Sequence, residues 1–155
     1  MTVLQGPLAD RDNWSSVGHC PIEKTMALVG TKSAMLIMRE AFYGTTRFDD
    51  FARRVGITKA ATSARLVELV EAGMLAKRPY RVPGQRSRDE YVLTDTGTEF
   101  MPVVWAMFAW GSKHLGDSRV QLAHLGCGAE VTVEIRCAEH HDVPPDELVV
   151  RPVTR

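Results

Sequence analysis

The stretch RFDDFARRVGITKAATSARLVELVEAGML, residues 47–75, has the pattern of two helices joined by a tight turn. Its first part predicts a short helix over residues 48–55, whose apolar side chains share one side: Phe48, Phe51, Ala52 and Val55. Gly56 interrupts that helix, and Thr58 is of a type that caps the start of the next one. The second helix is predicted to extend to about residue 72 and to end before Gly73. This arrangement predicts a helix-turn-helix.

The two halves of the second helix differ in character. Leu66, Leu69 and Val70 recur at spacings of three and four and are predicted to pack inward. The N-terminal half carries only small or polar side chains. A major groove about 12 Å wide admits a helix whose leading residues are small or able to reach base edges. Four side chains are therefore predicted to contact DNA: Lys59, Thr62, Ser63 and Arg65.

A hairpin is predicted next, with strands over residues 74–82 and 90–93 and Pro83-Gly84 in the connection. Its tip is basic and polar. Such a wing can follow the DNA backbone or enter the minor groove, where arginine is favoured electrostatically. The wing side chains predicted to contact DNA are Arg81, Gln85, Arg86, Ser87 and Arg88.

Further helices are predicted on both sides of this motif. Cys20-Pro21 opens one that ends at Gly30, because proline suits the first helical position, and residues 32–42 form another. Thr94 caps a longer helix to about residue 115, whose aromatic side chains exceed what one small domain needs: Trp105, Phe108 and Trp110. The fold class predicted is mainly α with small β (α+β), with a winged helix-turn-helix domain over residues 20–115.

Two segments lie outside that domain. Residues 1–19 are polar and irregular, which predicts an N-terminal arm. Residues 116–155 are interpreted as a small β-rich appendage. There Val131, Val133 and Ile135 alternate with polar residues, which predicts a half-buried strand, and residues 148–150 are its predicted partner.

The charge balance is neutral overall but uneven along the chain. The 155 residues are 45% hydrophobic and 25% charged, with a formal net charge of zero, which argues mildly against nucleic-acid binding. However, residues 51–67 and 76–88 carry cations and no acids, so the two elements predicted to touch DNA are basic and their cations are predicted to be unopposed. No apolar run reaches the length of a signal peptide or of a membrane span, which predicts a cytoplasmic protein without a membrane partner.

Four stretches resemble the HxlR branch of the MarR-like transcriptional regulators. They are CPIEKTMALVGTKSAMLIMREAF (20–42), the helix-turn-helix stretch quoted above, DEYVLTDTG (89–97) and PVVWAMFAWG (102–111). The chain departs from the family at Ser33 and Ala34, where members often carry Trp, and its two end segments are longer than in minimal members. These departures leave the effector open.

The resemblance implies a homodimer in which the first helix, the arm and the 94–115 helix form the subunit interface. A dimer would present two recognition helices to half-sites roughly 34–36 Å apart, on a short inverted repeat in double-stranded DNA. Repression of transcription is the default implied by analogy with the family.

Cys20 is a candidate for redox sensing. It lies at the start of a predicted helix, where the partial positive charge of the helix favours a thiolate. Several HxlR-type regulators are similar in carrying a cysteine here, and some sense oxidants or electrophiles through it. The alternative is a packing residue without regulatory chemistry. The effector, whether an oxidant or a small molecule, is not fixed by the sequence.

The C-terminal segment contains two Cys/His pairs. His124 with Cys127, and Cys137 with His140, each have an x-x spacing, and nine residues separate the pairs. This spacing is typical of a zinc ribbon with one histidine in each half. A metal-free remnant and a chance surface cluster are the alternatives, so neither a metal site nor a cofactor is predicted.

The sequence leaves two alternative functions. A metal-dependent enzyme would need an open zinc position and a base, for which Glu139 is the only obvious candidate, so no catalytic residue and no enzyme activity are predicted. A winged helix used only for protein contacts is the second alternative. Salt-sensitive binding to promoter DNA would separate it from a DNA-binding regulator.

Overall fold

The computed structural model describes residues 2–13, 18–81, 83–84 and 86–153. It divides into two compact units, one comprising Pro21–Gln121 and the other Met1–Cys20 together with Leu122–Arg155. Among the described residues, no helix has the length and apolar character that crossing a lipid bilayer requires.

Among its described residues, the first unit contains six helices and one hairpin. In chain order these are α1 (Pro21–Val29), α2 (Lys32–Phe42), α3 (Phe48–Val55), α4 (Lys59–Glu71), β2 (Leu75–Tyr80), β3 (Arg88–Leu93), α5 (Asp95–Glu99) and α6 (Met101–His114). The second unit contains β1 (Val3–Leu4), a 3-10 turn at Gly6–Ala9 and β4 (Val149–Val150). The predicted fold class, mainly α with small β, is confirmed.

The core of the first unit forms where α2, α3 and α4 meet. Their fully buried side chains include Ile37, Met38, Phe51, Leu66 and Leu69. Leu66 and Leu69 belong to the apolar stripe predicted for the second helix of the motif. The three helices pack their apolar side chains against one another. This packing stabilises α4 and fixes its orientation.

Side-chain caps set the starts of the helices. The Thr58 hydroxyl accepts from the Ala61 N–H at 3.2 Å, as the sequence predicts, and Thr31 and Thr94 cap α2 and α5 in the same way. Gly56 has a φ of +73°, a left-handed conformation that glycine adopts without strain. The turn between α3 and α4 is therefore as tight as the helix-turn-helix prediction requires.

The predicted single helix over residues 94–115 is divided in two. α5 ends at Glu99 and α6 begins at Met101, with Phe100 between them. Pro102 is the second residue of α6 and has no N–H to donate to a carbonyl in the preceding turn. Proline is tolerated in a first helical turn but not in a helix interior, so the chain ends one helix and starts another.

The hairpin is antiparallel, with a register from Leu75↔Leu93 to Tyr80↔Arg88. The second strand begins at Arg88 instead of residue 90, because the pairing of the two strands continues outward to Tyr80↔Arg88. The Tyr91 N–H donates to the Thr46 carbonyl at 2.8 Å, which ties the hairpin to the segment between α2 and α3. The wing is therefore anchored at its base.

The second unit contradicts the strand predicted over residues 131–135. That segment has no regular strand, and β4 pairs in parallel with β1 instead, with Val3 opposite Val149. Val133 and Ile135 are 44% and 55% exposed, so the alternating pattern has no apolar surface to pack on. The bridges Ala123↔Glu130 and Arg136↔Asp142 close two short turns in this region.

Candidate nucleic-acid interface

The N-terminal half of α4 presents one exposed face. Lys59 and Ser63 are exposed, and Arg65 is half-buried. Ala60, Ala64 and Val67 are exposed beside Ser63, at spacings of three and four. The sequence reasoning did not select these apolar positions, although the outward helical period would have found them. An exposed apolar side chain can contact the methyl group of thymine in the major groove.

Thr62 does not belong to this face. It is fully buried, and its hydroxyl donates to the Thr58 carbonyl at 2.9 Å. Thr62 shares the inward stripe with Leu66 and Leu69, four and seven residues further along the helix. The prediction that Thr62 contacts DNA is therefore wrong for this structure.

Acidic side chains neutralise the cations of the helix-turn-helix. Lys59 Nζ lies 2.8 Å from Asp49 Oδ1, and Arg65 Nη1 lies 2.6 Å from Glu68 Oε2. Arg53 also pairs with Asp50. From the sequence, these cations are predicted to be unopposed, because residues 51–67 contain no acid. The acids that pair with them lie just outside that range. In three dimensions that prediction is wrong.

The wing base is held by a buried carboxylate. Glu90 is 8% exposed and accepts from Arg78 Nε at 2.9 Å, with Arg47 Nε 3.6 Å away. A hydrogen bond from the Thr46 side chain and the Arg78 guanidinium hold the pKa of Glu90 below its ordinary value. The Arg47 Cζ also lies 3.1 Å from the centroid of the Tyr80 ring. These contacts join the hairpin to the start of α3.

The wing tip is exposed and cationic. Arg81, Arg86 and Arg88 are all exposed, and within the described ranges no ion pair is found for Arg81 or Arg86. Ser87 is exposed, and its hydroxyl donates to the Tyr80 carbonyl at 3.4 Å. Gln85, which the sequence also assigns to DNA contact, lies outside the described residues.

Asp49 relates the wing to α4. The hydrogen bond and charge of Lys59 lower the pKa of this carboxyl group, and the charge of Arg88 contributes in the same direction. Lys59 is the first residue of α4, and Arg88 is the first residue of β3. Asp49 on α3 pairs with Lys59 at the start of α4, and Arg47, the residue before α3, lies against Tyr80 at the outer end of β2. The start of α4 and the wing are therefore both in contact with the start of α3.

The Cys/His pairs lie in the second unit. His124 Nδ1 is 3.2 Å from Cys127 Sγ, and the His140 N–H donates to the Cys137 carbonyl at 2.9 Å. In the part of the chain that the structure describes, no three His, Cys, Asp or Glu side chains are grouped to hold a metal ion.

Cys20 is a free, half-buried thiol. It directly precedes Pro21, the first residue of α1, as the sequence predicts.

Comparison with known proteins gives one consistent result. The family model described as HxlR-like helix-turn-helix matches residues 28–119. The uncharacterised HTH-type transcriptional regulator Rv3095 of Mycobacterium tuberculosis is 32% identical over 150 residues, which cover 95% of this chain and 88% of that protein.

Solved structures agree with this result. The crystal structure of PA1607, a candidate transcription factor, matches with a TM-score of 0.76 and 30% identity, covering 90% of this chain and 97% of that one. The reduced form of the redox regulator HypR matches with a TM-score of 0.56 and 28% identity, covering 62% of this chain and 94% of that one.

The fold, the interface and these likenesses define the class as DNA-binding transcriptional regulators of the helix-turn-helix type, which are not enzymes. Within that class, the chain belongs to the HxlR-like helix-turn-helix family, which confirms the resemblance seen in the sequence.

Proposed function

We propose that this regulator acts in the cytoplasm as a homodimeric, sequence-specific repressor that binds a short inverted repeat. The observation that carries the proposal is that the start of α3 contacts both elements, because Asp49 pairs with Lys59 at the start of α4 and Arg47 lies against Tyr80 of the wing. A helix in the major groove needs this arrangement if the wing is to reach the adjacent backbone. The proposed contacts are Lys59, Ser63, Arg65, Arg81, Gln85, Arg86, Ser87 and Arg88.

The exposure of α1 supports a dimer. Residues 21–27 are all exposed, and only Val29 of this helix is buried. Ile22 and Met26 are 74% and 56% exposed and share one face of the helix. A nine-residue helix is marginal by itself in water and depends on packing for stability. A second copy covering this face would supply that packing.

α6 continues the same apolar surface. Its aromatic side chains divide into two groups, because Trp105 and Phe108 are half-buried and contact each other, whereas Trp110 is 59% exposed. Met107 is also 54% exposed and lines a groove of about 430 Å³ together with Met26, Met35 and Leu36. The groove joins α1, α2 and α6, and large exposed apolar surfaces of this kind mark protein interfaces.

Cys20 is proposed as the sensing residue for an oxidant or electrophile. The support is a free thiol at the start of α1, the helix proposed to lie in the dimer interface, together with the likeness to a redox regulator. If so, hydrogen peroxide weakens DNA binding by the wild type and not by Cys20→Ser. The matched control Cys127→Ser alters another free thiol and keeps the response. A response retained in Cys20→Ser would assign sensing to another residue, and a wild type that does not respond to peroxide would leave a small-molecule effector as the alternative.

A binding assay over a salt series tests the function as a whole. Duplexes selected by the protein from a random pool are titrated between 50 and 200 mM salt, and affinity is expected to fall steeply because phosphate contacts release counterions. Failure to select or bind any duplex would contradict the proposal and favour a winged helix used for protein contacts.

A further inference from the structure

The cations of the candidate interface fall into two groups. On the helix-turn-helix, Lys59 and Arg65 each have an acidic partner within 3 Å. On the wing, Arg81 and Arg86 are exposed and have no ion pair among the residues that the structure describes. The cation that opens α4 is therefore neutralised in the free protein, while the wing tip stays available to phosphates.

Asp49 differs from Glu68 in where it lies. Glu68 belongs to the same helix as Arg65, three residues further on, a spacing common on exposed helix surfaces. Asp49 lies on α3, 63% exposed, and its partner Lys59 is at the start of the next helix. The charge of Arg88 acts on the same carboxylate from the wing. Asp49 thus places a negative charge beside Lys59, at the start of the helix proposed to enter the major groove.

The charge of Asp49 affects binding to non-specific DNA more than binding to a specific site. On any duplex, a carboxylate near the phosphates is repelled, and Lys59 must leave Asp49 before it can contact DNA. Non-specific binding depends almost entirely on phosphate contacts, so it bears the full penalty. A specific site provides base contacts that offset the loss of the ion pair.

We propose that Asp49 is a specificity-determining residue that withholds Lys59 from non-specific DNA. The inference rests on the proposed function, since it presupposes that α4 and the wing bind a duplex.

The test compares Asp49→Asn with Glu71→Gln, on a selected duplex and on calf-thymus DNA. Glu71 is exposed at the last residue of α4, so its variant removes the same charge at the opposite end of that helix. We expect Asp49→Asn to bind calf-thymus DNA about 10-fold more tightly, with a salt slope steeper by about one, because Lys59 then neutralises one more phosphate. The selected duplex gains less, about 2-fold, so the specificity ratio falls about 5-fold. Glu71→Gln is expected to leave both affinities unchanged.

A double-mutant cycle identifies Lys59 as the mediator. On a Lys59→Ala background, Asp49→Asn is expected to leave the salt slope on calf-thymus DNA unchanged and to give a smaller gain in affinity, because only the repulsion of the carboxylate is then relieved. An equal gain on both DNAs, no gain on either, or the same gain without Lys59 would overturn the inference while the wild type still binds its selected duplex. A wild type that binds no duplex would overturn the proposed function, and the inference with it.

Discussion

Thr62 and Ser63 are neighbours in α4, yet the first is fully buried and the second is exposed. We expect Thr62→Val to leave DNA affinity within about 2-fold of wild type, because its side chain faces the core. The variant loses one hydroxyl donor, while the Thr58 carbonyl still accepts from the Thr62 N–H, so stability should fall by about 1 kcal/mol or less. Urea unfolding and a DNA titration measure the two effects. A large loss of DNA affinity at unchanged stability would return Thr62 to the interface.

Arg86 has the opposite character, since it is exposed at the wing tip. Arg86→Ala is expected to weaken binding to all sequences about 10-fold and to reduce the salt slope by about one, as the loss of a phosphate contact does. Arg151→Ala, which removes an exposed arginine of the second unit, is the control and should change neither quantity. Equal effects of the two variants would show that only overall charge matters.

Glu90 gives stability a dependence on pH. The pKa of its carboxyl group is lowered in the folded protein, mainly by the hydrogen bond from Thr46 and by Arg78. Its contribution is therefore present above the ordinary value of 4.5 and is lost as the pH falls through the lower folded value. We expect Glu90→Gln to flatten the loss of stability on the acid side, as measured by urea unfolding between pH 7 and 3. If Glu90→Gln and the wild type lose stability equally as the pH falls, this role of Glu90 is contradicted.

These residues also show where sequence reasoning fails at this scale. A run of small and polar residues does not reveal the helical phase that turns Thr62 inward. A basic window does not reveal Asp49, which precedes the window and reaches Lys59 only through the turn at Gly56. The burial of Thr62 and the pairing of Asp49 with Lys59 both depend on how the helices pack in three dimensions.

At the scale of elements, α1 and α6 carry the proposed dimer interface. We expect Met107→Asp to shift the protein toward a monomer, because it places a charge in the apolar groove lined by Met26 and Leu36. Val120→Asp introduces the same charge at a valine that is 63% exposed beyond the end of α6, and should leave the assembly unchanged. Sedimentation equilibrium distinguishes the two. A dimer that survives Met107→Asp would move the interface elsewhere.

The elements with strong local signals were predictable from the sequence. α2 and α3 have the predicted bounds because glycines and apolar periodicity mark them, and the cap at Thr58 is confirmed. The division between α5 and α6 follows from Pro102, a local signal that the prediction of one helix over residues 94–115 does not use. The strand predicted over residues 131–135 failed because alternation indicates a strand only where a partner surface exists, and β4 pairs with β1. Long-range pairing of this kind leaves no local signal.

In the complete assembly, the proposed recognition of DNA depends on a two-fold dimer that presents two α4 helices and two wings to one duplex. A formal net charge of zero is compatible with this, because the wing tip exposes Arg81 and Arg86, for which no ion pair is found among the described residues. The spacing of the two helices then fixes the operator as two half-sites about one helical turn apart.

Hydroxyl-radical footprinting on a selected duplex tests this claim most directly. We expect two symmetric protected regions of the duplex, centred about 10 base pairs apart. Flanking backbone protection is expected to be present with the wild type and absent with Arg86→Ala. A single asymmetric footprint, or flanking protection that persists in Arg86→Ala, would contradict the claim.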